Sequence, residues 1–190
     1  MNAMKGGTEV NERNLITQMK QGNTDAFKIL YEEHVEYALR IASTIMKDHA
    51  AAPDVVQESF IKVYKNIHQF EVDRPFKPWF YQILLNECRR HMKKHKRVIP
   101  TELNENIDLP QCMDRYYVEE YESLYQAVQQ LADHQRIPII LKYIEDLTEK
   151  QIAEILELNI NTIKSRLFKG RKKLKYLLSQ RRDHDETQSF

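Results

Sequence analysis

Apolar residues recur at three- and four-residue spacing over most of the chain. Leu15, Ile16 and Met19 open the pattern, and Phe27, Leu30, Tyr31, Val35, Leu39, Ile45 and Met46 continue it. This is helical periodicity. Gly22-Asn23-Thr24-Asp25 predicts a break and restart, with Asn23 or Thr24 as cap. Asp48–Pro53 predicts a second break, with the proline in a first helical turn. Val55, Val56, Phe60, Val63, Tyr64 and Ile67 form the next stripe. Glu71–Pro75 is a polar loop, and Pro78 opens a helix, Trp79–Arg97. Met1–Arg13 lacks the pattern and is expected to be a flexible arm.

Val98–Tyr117 has two prolines, many acids and no periodicity, which predicts a linker. Helical spacing then resumes at Leu124, Ala127, Val128 and Leu131. Asp133 is placed to cap the next helix, which reaches Tyr143 or Ile144, and Pro138 should weaken its first turn. Thr148-Glu149-Lys150-Gln151 has the capping-box pattern ahead of Ile152, Ala153, Ile155 and Leu156. Asn159 caps a last helix to about Leu178, and Arg181–Phe190 is a polar tail. The expected fold is all-α: two small helical domains, 14–97 and 119–180, around a flexible acidic linker, 98–118, with a helix-turn-helix in the second.

Composition narrows the function. Of 190 residues, only four are glycine, and two of those are Gly6 and Gly7. Glycine-rich phosphate loops and hairpin-rich β folds are excluded. No apolar run approaches the roughly 18 residues that span a bilayer, and no signal peptide is visible. Two cysteines make no disulfide framework, so a reducing cytoplasm is expected. No metalloprotease, Walker or nucleophile-elbow motif occurs, and catalysis by the chain is not expected. Cys88, His91 and His95 suggest a metal site. Cys88 and His95, seven residues apart on a helix, are separated by about 10.5 Å, too far for one tetrahedral centre. Neither a metal nor another cofactor is expected.

Net charge is +1, yet the charges are segregated. Asn86–Arg97 carries six basic residues and one acid, and Lys164–Lys175 carries seven basic residues and no acid. Between them, Val98–Glu122 has seven acids against Arg115 alone. Two basic patches predict a polyanion partner. In Glu149–Leu174, two helices about a short turn have helix-turn-helix proportions. Leu158, Ile160, Ile163 and Leu167 are expected to face inward. Asn161, Thr162, Lys164, Ser165, Arg166, Phe168, Lys169 and Arg171 then face outward, as base- and phosphate-contacting side chains. In the first half, the aromatics Phe76, Trp79 and Tyr81 precede the cations Arg89, Arg90, Lys93 and Lys94. Aromatic faces take unstacked bases and cations track the strand. Residues alone leave open a free-standing helix-turn-helix regulator.

The motifs also resemble a known family. Gln151-Ile-Ala-Glu-Ile-Leu156 followed by Thr162-Ile-Lys-Ser-Arg-Leu167 resembles region four of bacterial sigma factors, in their extracytoplasmic-function group. Asp54-Val-Val-Gln-Glu-Ser-Phe60 resembles region two's polymerase-binding helix. Phe76-x2-Trp79-Phe80-Tyr81-x4-Asn86 resembles its promoter-opening segment. The resemblance implies a non-enzymatic alternative sigma factor that directs core RNA polymerase to promoter DNA. It implies −35 recognition by the last helix and −10 capture by the Phe76–Lys94 surface, including Asn86. It implies polymerase docking at Asp54, Gln57 and Glu58, and an anti-sigma factor, by family habit a membrane-tethered one. The family commonly has glycine where Glu157 and Asn161 stand, and the Glu157 position should require a left-handed turn.

Overall fold

The computed structural model describes residues 3–46, 48–95 and 124–187, with side chains described for 11–46, 48–94 and 124–180. The expected linker, 98–118, lies outside the described residues, as do Lys96 and Arg97. The chain divides into two compact units, Met1–Pro100 and Thr101–Phe190. Every regular element among the described residues is helical.

In the first unit, α1 (Ala3–Lys20), α2 (Thr24–Met46), α3 (Ala52–Asn66) and α4 (Phe76–His95) pack together, with a 3-10 turn at Ile67–Gln69. Helix α2 touches the other three. Asn23 is the cap that starts it: Oδ1 accepts from the amides of Asp25 at 2.9 Å and Ala26 at 3.3 Å. Gly22 turns the chain at φ +88°, a left-handed value suited to glycine. Pro53 lies in the first turn of α3, where a missing amide donor costs nothing. Leu30, Ile41, Ile45, Phe60, Val63, Phe76, Phe80, Tyr81, Leu84 and Leu85 form the buried core.

The expected arm is largely helix. Helix α1 starts at Ala3, and Glu12 Oε1 meets the buried imidazole of His34 at 3.2 Å. Leu15, Ile16 and Met19 anchor this helix in the core. Once that turn is fixed, each added residue gains a hydrogen bond, so the helix runs on despite Gly6 and Gly7.

The second unit contains α5 (124–129), α6 (Asp133–Tyr143), α7 (Glu149–Leu156) and α8 (Ile160–Thr187). Helices α6 and α7 both pack on α8, and on each other. The cap position of α6 is Ala132, which makes no side-chain cap bond. Asp133 is instead the first helical residue, and its carboxylate takes Nη2 of the buried Arg136 at 2.8 Å. Pro138 stays inside α6 and is itself buried, and the helix continues past it to Tyr143. Helix α8 exceeds its expected end at Leu178 by nine residues. The apolar stripe ends there, but no glycine or proline follows to stop the helix.

Candidate nucleic-acid interface

The outward face of α8 is set by the turn before it. Thr148 and Gln151 complete a reciprocal capping box at the start of α7. Glu157 ends α7 at φ 55°, ψ 44°, in the left-handed region, and the Leu158 amide bonds back to the Ala153 carbonyl at 2.9 Å. Asn159 Oδ1 then accepts from the Asn161 amide at 2.8 Å, so that α8 starts after only three intervening residues. The expected left-handed position and both expected caps are therefore observed.

Packing then fixes the rotation of α8. Ile163 and Leu167 are fully buried, and Gly170 sits against α6. A Cβ on Gly170 would lie 3.0 Å from Ile139 Cγ1, so the two helices approach closely there. With that face inward, Asn161, Lys164, Ser165, Phe168, Lys169 and Arg171 are exposed, while Thr162 and Arg166 are half-buried. Phe168 is 63% exposed, a large apolar ring beside cations. Ile160 does not turn inward as expected. It is the first helical residue, it is exposed, and the half-buried Leu158 lies on the turn before it.

On α4 the cations form a stripe. Asn86, Arg89, Arg90, Lys93 and Lys94 are all exposed, at the spacing of one helix face. Arg89 Nη1 donates to Asn86 Oδ1 at 3.3 Å. The opposite face carries Phe80, Tyr81, Leu84, Leu85 and Cys88, all buried. Here the expectation of exposed aromatics needs correction. Phe76 and Tyr81 are fully buried and offer no face to a base. Phe76 stacks on Phe80 at 5.7 Å and 8°, and Tyr81 lies 5.2 Å from Phe80. Burying each ring is worth roughly 1.5–3 kcal/mol, and the ring pairs add to it. Trp79 is half-buried against Phe70 at 4.7 Å and is the one of the three with exposed surface.

Asp54, Gln57 and Glu58 are exposed on α3, while Val55, Val56, Ser59 and Phe60 turn into the core. Asp54 and Glu58 also line a groove with Glu87, Arg90, His91 and Lys94 of α4. The acidic start of α3 and the cationic stripe of α4 thus share one surface. Sequence reasoning passed over Glu87, which is buried and bonded to both Lys62 and Arg90. Its signal was present: a single acid in a basic run, three residues before an arginine.

Cys88 belongs to the core. Burial pushes its thiol up to about 12, with a smaller push from Glu87. Among the described residues, no three His, Cys, Asp or Glu side chains converge as metal ligands. Among them, too, no helix is long and apolar enough to cross a membrane.

Comparison with known proteins bears on this geometry. The family described as Sigma-70 region 2 matches residues 30–98, and Sigma-70 region 4 matches residues 121–174. The first match runs from Leu30, within α2, past the end of α4, and the second takes in α5 to α8 up to Leu174. The ECF RNA polymerase sigma factor SigW of Bacillus subtilis is 30% identical over 173 residues, 84% of this chain and 92% of that one. The RNA polymerase sigma-H factor of Pseudomonas aeruginosa is 27% identical over 179 residues, 86% of this chain and 92% of that one. Among solved structures, the sigma factor RpoE of Bartonella quintana, crystallised with the anti-sigma factor NepR, superposes with a TM-score of 0.68. It is 26% identical and covers 80% of this chain and 98% of its own. CnrH, in complex with the cytosolic domain of CnrY, has the same fold, with a TM-score of 0.70 at 24% identity over 90% of this chain and 98% of its own. The chain belongs to the sigma-70 family, as an alternative sigma factor of its extracytoplasmic-function group.

Proposed function

We propose that this sigma factor directs core RNA polymerase to its promoters through three surfaces. The first half of α8 lies in the duplex major groove at the −35 element. Asn161, Lys164, Ser165, Phe168, Lys169 and Arg171 contact DNA directly there, with Thr162 and Arg166 at the edge of the contact. The stripe Asn86, Arg89, Arg90, Lys93 and Lys94 on α4, with the exposed part of Trp79, holds the separated −10 strand. Asp54, Gln57 and Glu58 on α3 face the polymerase. The two regions are assigned as 14–97 and 119–180, with 98–118 as the connector. Polymerase performs the chemistry, and this chain supplies address and strand separation in the cytoplasm. An anti-sigma factor is the expected regulator, as RpoE is seen with NepR.

The observation that carries this reading is the pair of cationic helix faces, each set outward by a fully buried opposite face. A free-standing regulator needs the α8 face alone. A sigma factor needs both faces, since the −10 strand must be held once it leaves the duplex. Transcription by core polymerase on promoters selected from a random library tests it. Specific initiation should appear only when the chain is added. Tight duplex binding with no stimulation of core polymerase would favour the free-standing regulator.

A further inference from the structure

Glu87 is the one acid in the basic run Asn86–Arg97, and it is only 3% exposed. A buried carboxylate is costly unless it is paired and hydrogen-bonded. Both oxygens of Glu87 are used. Oε1 accepts from Nζ of Lys62 on α3. Oε2 accepts from Nε of Arg90 at 2.8 Å and lies 2.5 Å from Nη2 of the same guanidinium. Burial pushes the carboxyl up, but the bonds and charges of Lys62 and Arg90 outweigh it and hold it below the usual carboxylate value.

Arg90 is placed differently. Its side chain is 65% exposed although two of its nitrogens are held from below. The guanidinium is planar and rigid, so fixing Nε and Nη2 also fixes the direction of the remaining N–H edge. An arginine held this way is already ordered before a ligand arrives. Arg89 donates to the neutral Asn86, and Lys93 and Lys94 stand exposed farther along the same face.

Building on the strand-holding role proposed for α4, we propose that Glu87 is a positioning residue. It presents the free edge of Arg90 to a phosphate of the melted −10 strand. Through Lys62 it also ties that setting to α3, the helix that carries the polymerase-facing residues. Arg90 then contributes geometry more than net attraction, because Glu87 offsets its charge. Arg89, Lys93 and Lys94 supply the longer-range pull on the strand.

Charge and positioning predict opposite signs, which makes the idea testable. Glu87→Gln removes one negative charge from the chain, so on charge alone it must tighten DNA binding. Positioning requires it to weaken binding. The experiment uses holoenzyme assembled from core polymerase and the full chain, titrated onto a pre-melted −10 probe at fixed salt. Glu87→Gln should weaken binding by about three- to tenfold, the range of a lost pairwise coupling. Arg90→Ala should weaken it similarly, and the double variant should be no weaker than Arg90→Ala alone. Arg90→Lys keeps the charge but not the fork, and should lose as much as Arg90→Ala. Tighter or unchanged binding by Glu87→Gln, or losses that multiply in the double variant, would overturn the proposal. Should Glu87→Gln fail to fold, Arg90→Lys decides alone: wild-type binding overturns the proposal and a loss supports it. A wild-type holoenzyme that binds no promoter probe overturns the sigma-factor surfaces and this inference with them. Normal wild-type binding with a wild-type-like Glu87→Gln overturns the inference alone.

Discussion

Glu157 holds the sharpest local compromise in the chain. Its backbone is left-handed, at φ 55°, where a Cβ costs roughly 1 kcal/mol or more. Glycine removes that cost but has more freedom to lose on folding. The balance favours glycine: Glu157→Gly should stabilise the second unit by about 0.5–1 kcal/mol. Urea unfolding followed by circular dichroism checks this, and a lower midpoint would show that Glu157 makes contacts worth more than the strain. Cys88 offers a second test at this scale. Burial holds its thiol at about 12, so almost no thiolate exists at pH 8. In a Cys112→Ser background the native protein should not react with a thiol reagent, and urea should release one full equivalent. Rapid labelling in native buffer would mean that the α4 core opens. Side-chain direction is also where sequence reasoning fell short. The Asn159 cap, and the break at Asn23 or Thr24, were legible because they follow from local backbone chemistry, whereas the left-handed Glu157 was implied by the resemblance to a family that carries glycine there. The burial of Phe76 and Tyr81 was not legible. Helical spacing places Tyr81 on a helix, while Phe76 falls before the expected start at Trp79 and proves to open α4; which face meets the core depends on α2 and α3, whose rings arrive from far along the chain. The same distance hid Lys62, 25 residues before the carboxylate it pairs with.

At the scale of elements, caps and buried charges decide where the two candidate DNA-contacting helices stand. The Thr148 hydroxyl accepts from the Gln151 amide at 3.3 Å, and Gln151 Oε1 in turn accepts from the Thr148 amide at 2.9 Å. Thr148→Ala removes one half of this box and should cost about 0.5–2 kcal/mol. Helix α7 supports the inner face of α8, so −35 duplex affinity should fall with stability in a temperature series. Affinity unchanged at every temperature would separate the cap from the DNA-contacting surface. The α3–α4 contact responds to pH instead. The folded pKa of Glu87 lies below its ordinary value, so the ion pairs stabilise fully above that value. Their contribution is lost as pH falls through the depressed folded value. The melting temperature of wild type should exceed that of Glu87→Gln near neutrality, and the gap should close in acid. A gap that stays constant into acid would place the effect in packing. Element ends were the least legible feature. Helices α1 and α8 both outrun their apolar stripes, because a stripe marks where a helix packs, and the helix continues until something stops it.

For the whole molecule, the proposed function sets two cationic faces against two forms of one polymer. The −35 element stays duplex, whereas the −10 element must open, so the two faces should fail differently when weakened. Loss of duplex contacts by Lys164→Ala or Lys169→Ala should reduce every later step equally, whether or not the DNA is already melted. The α4 face is different, because in the proposed function it gains only from the separated strand. Phe76 and Tyr81 lie in the core, and Phe76→Ala there would cost about 3–5 kcal/mol of stability, which would confuse the test. Arg89 and Lys93 are exposed and hold up no core, so they are the better probes. Arg89→Ala combined with Lys93→Ala should leave polymerase binding and closed-promoter binding near wild type. Each lost single-strand phosphate contact should lower the salt slope by about 0.7. On linear duplex promoter, the permanganate reactivity of −10 thymines should drop several-fold. A template with a pre-melted −10 bubble should restore most transcription, since melting no longer draws on the lost contacts. Equal loss on duplex and bubble templates would place the defect in folding or in polymerase docking. Full reactivity on linear duplex would mean that the −10 strand runs over a different surface of the first unit.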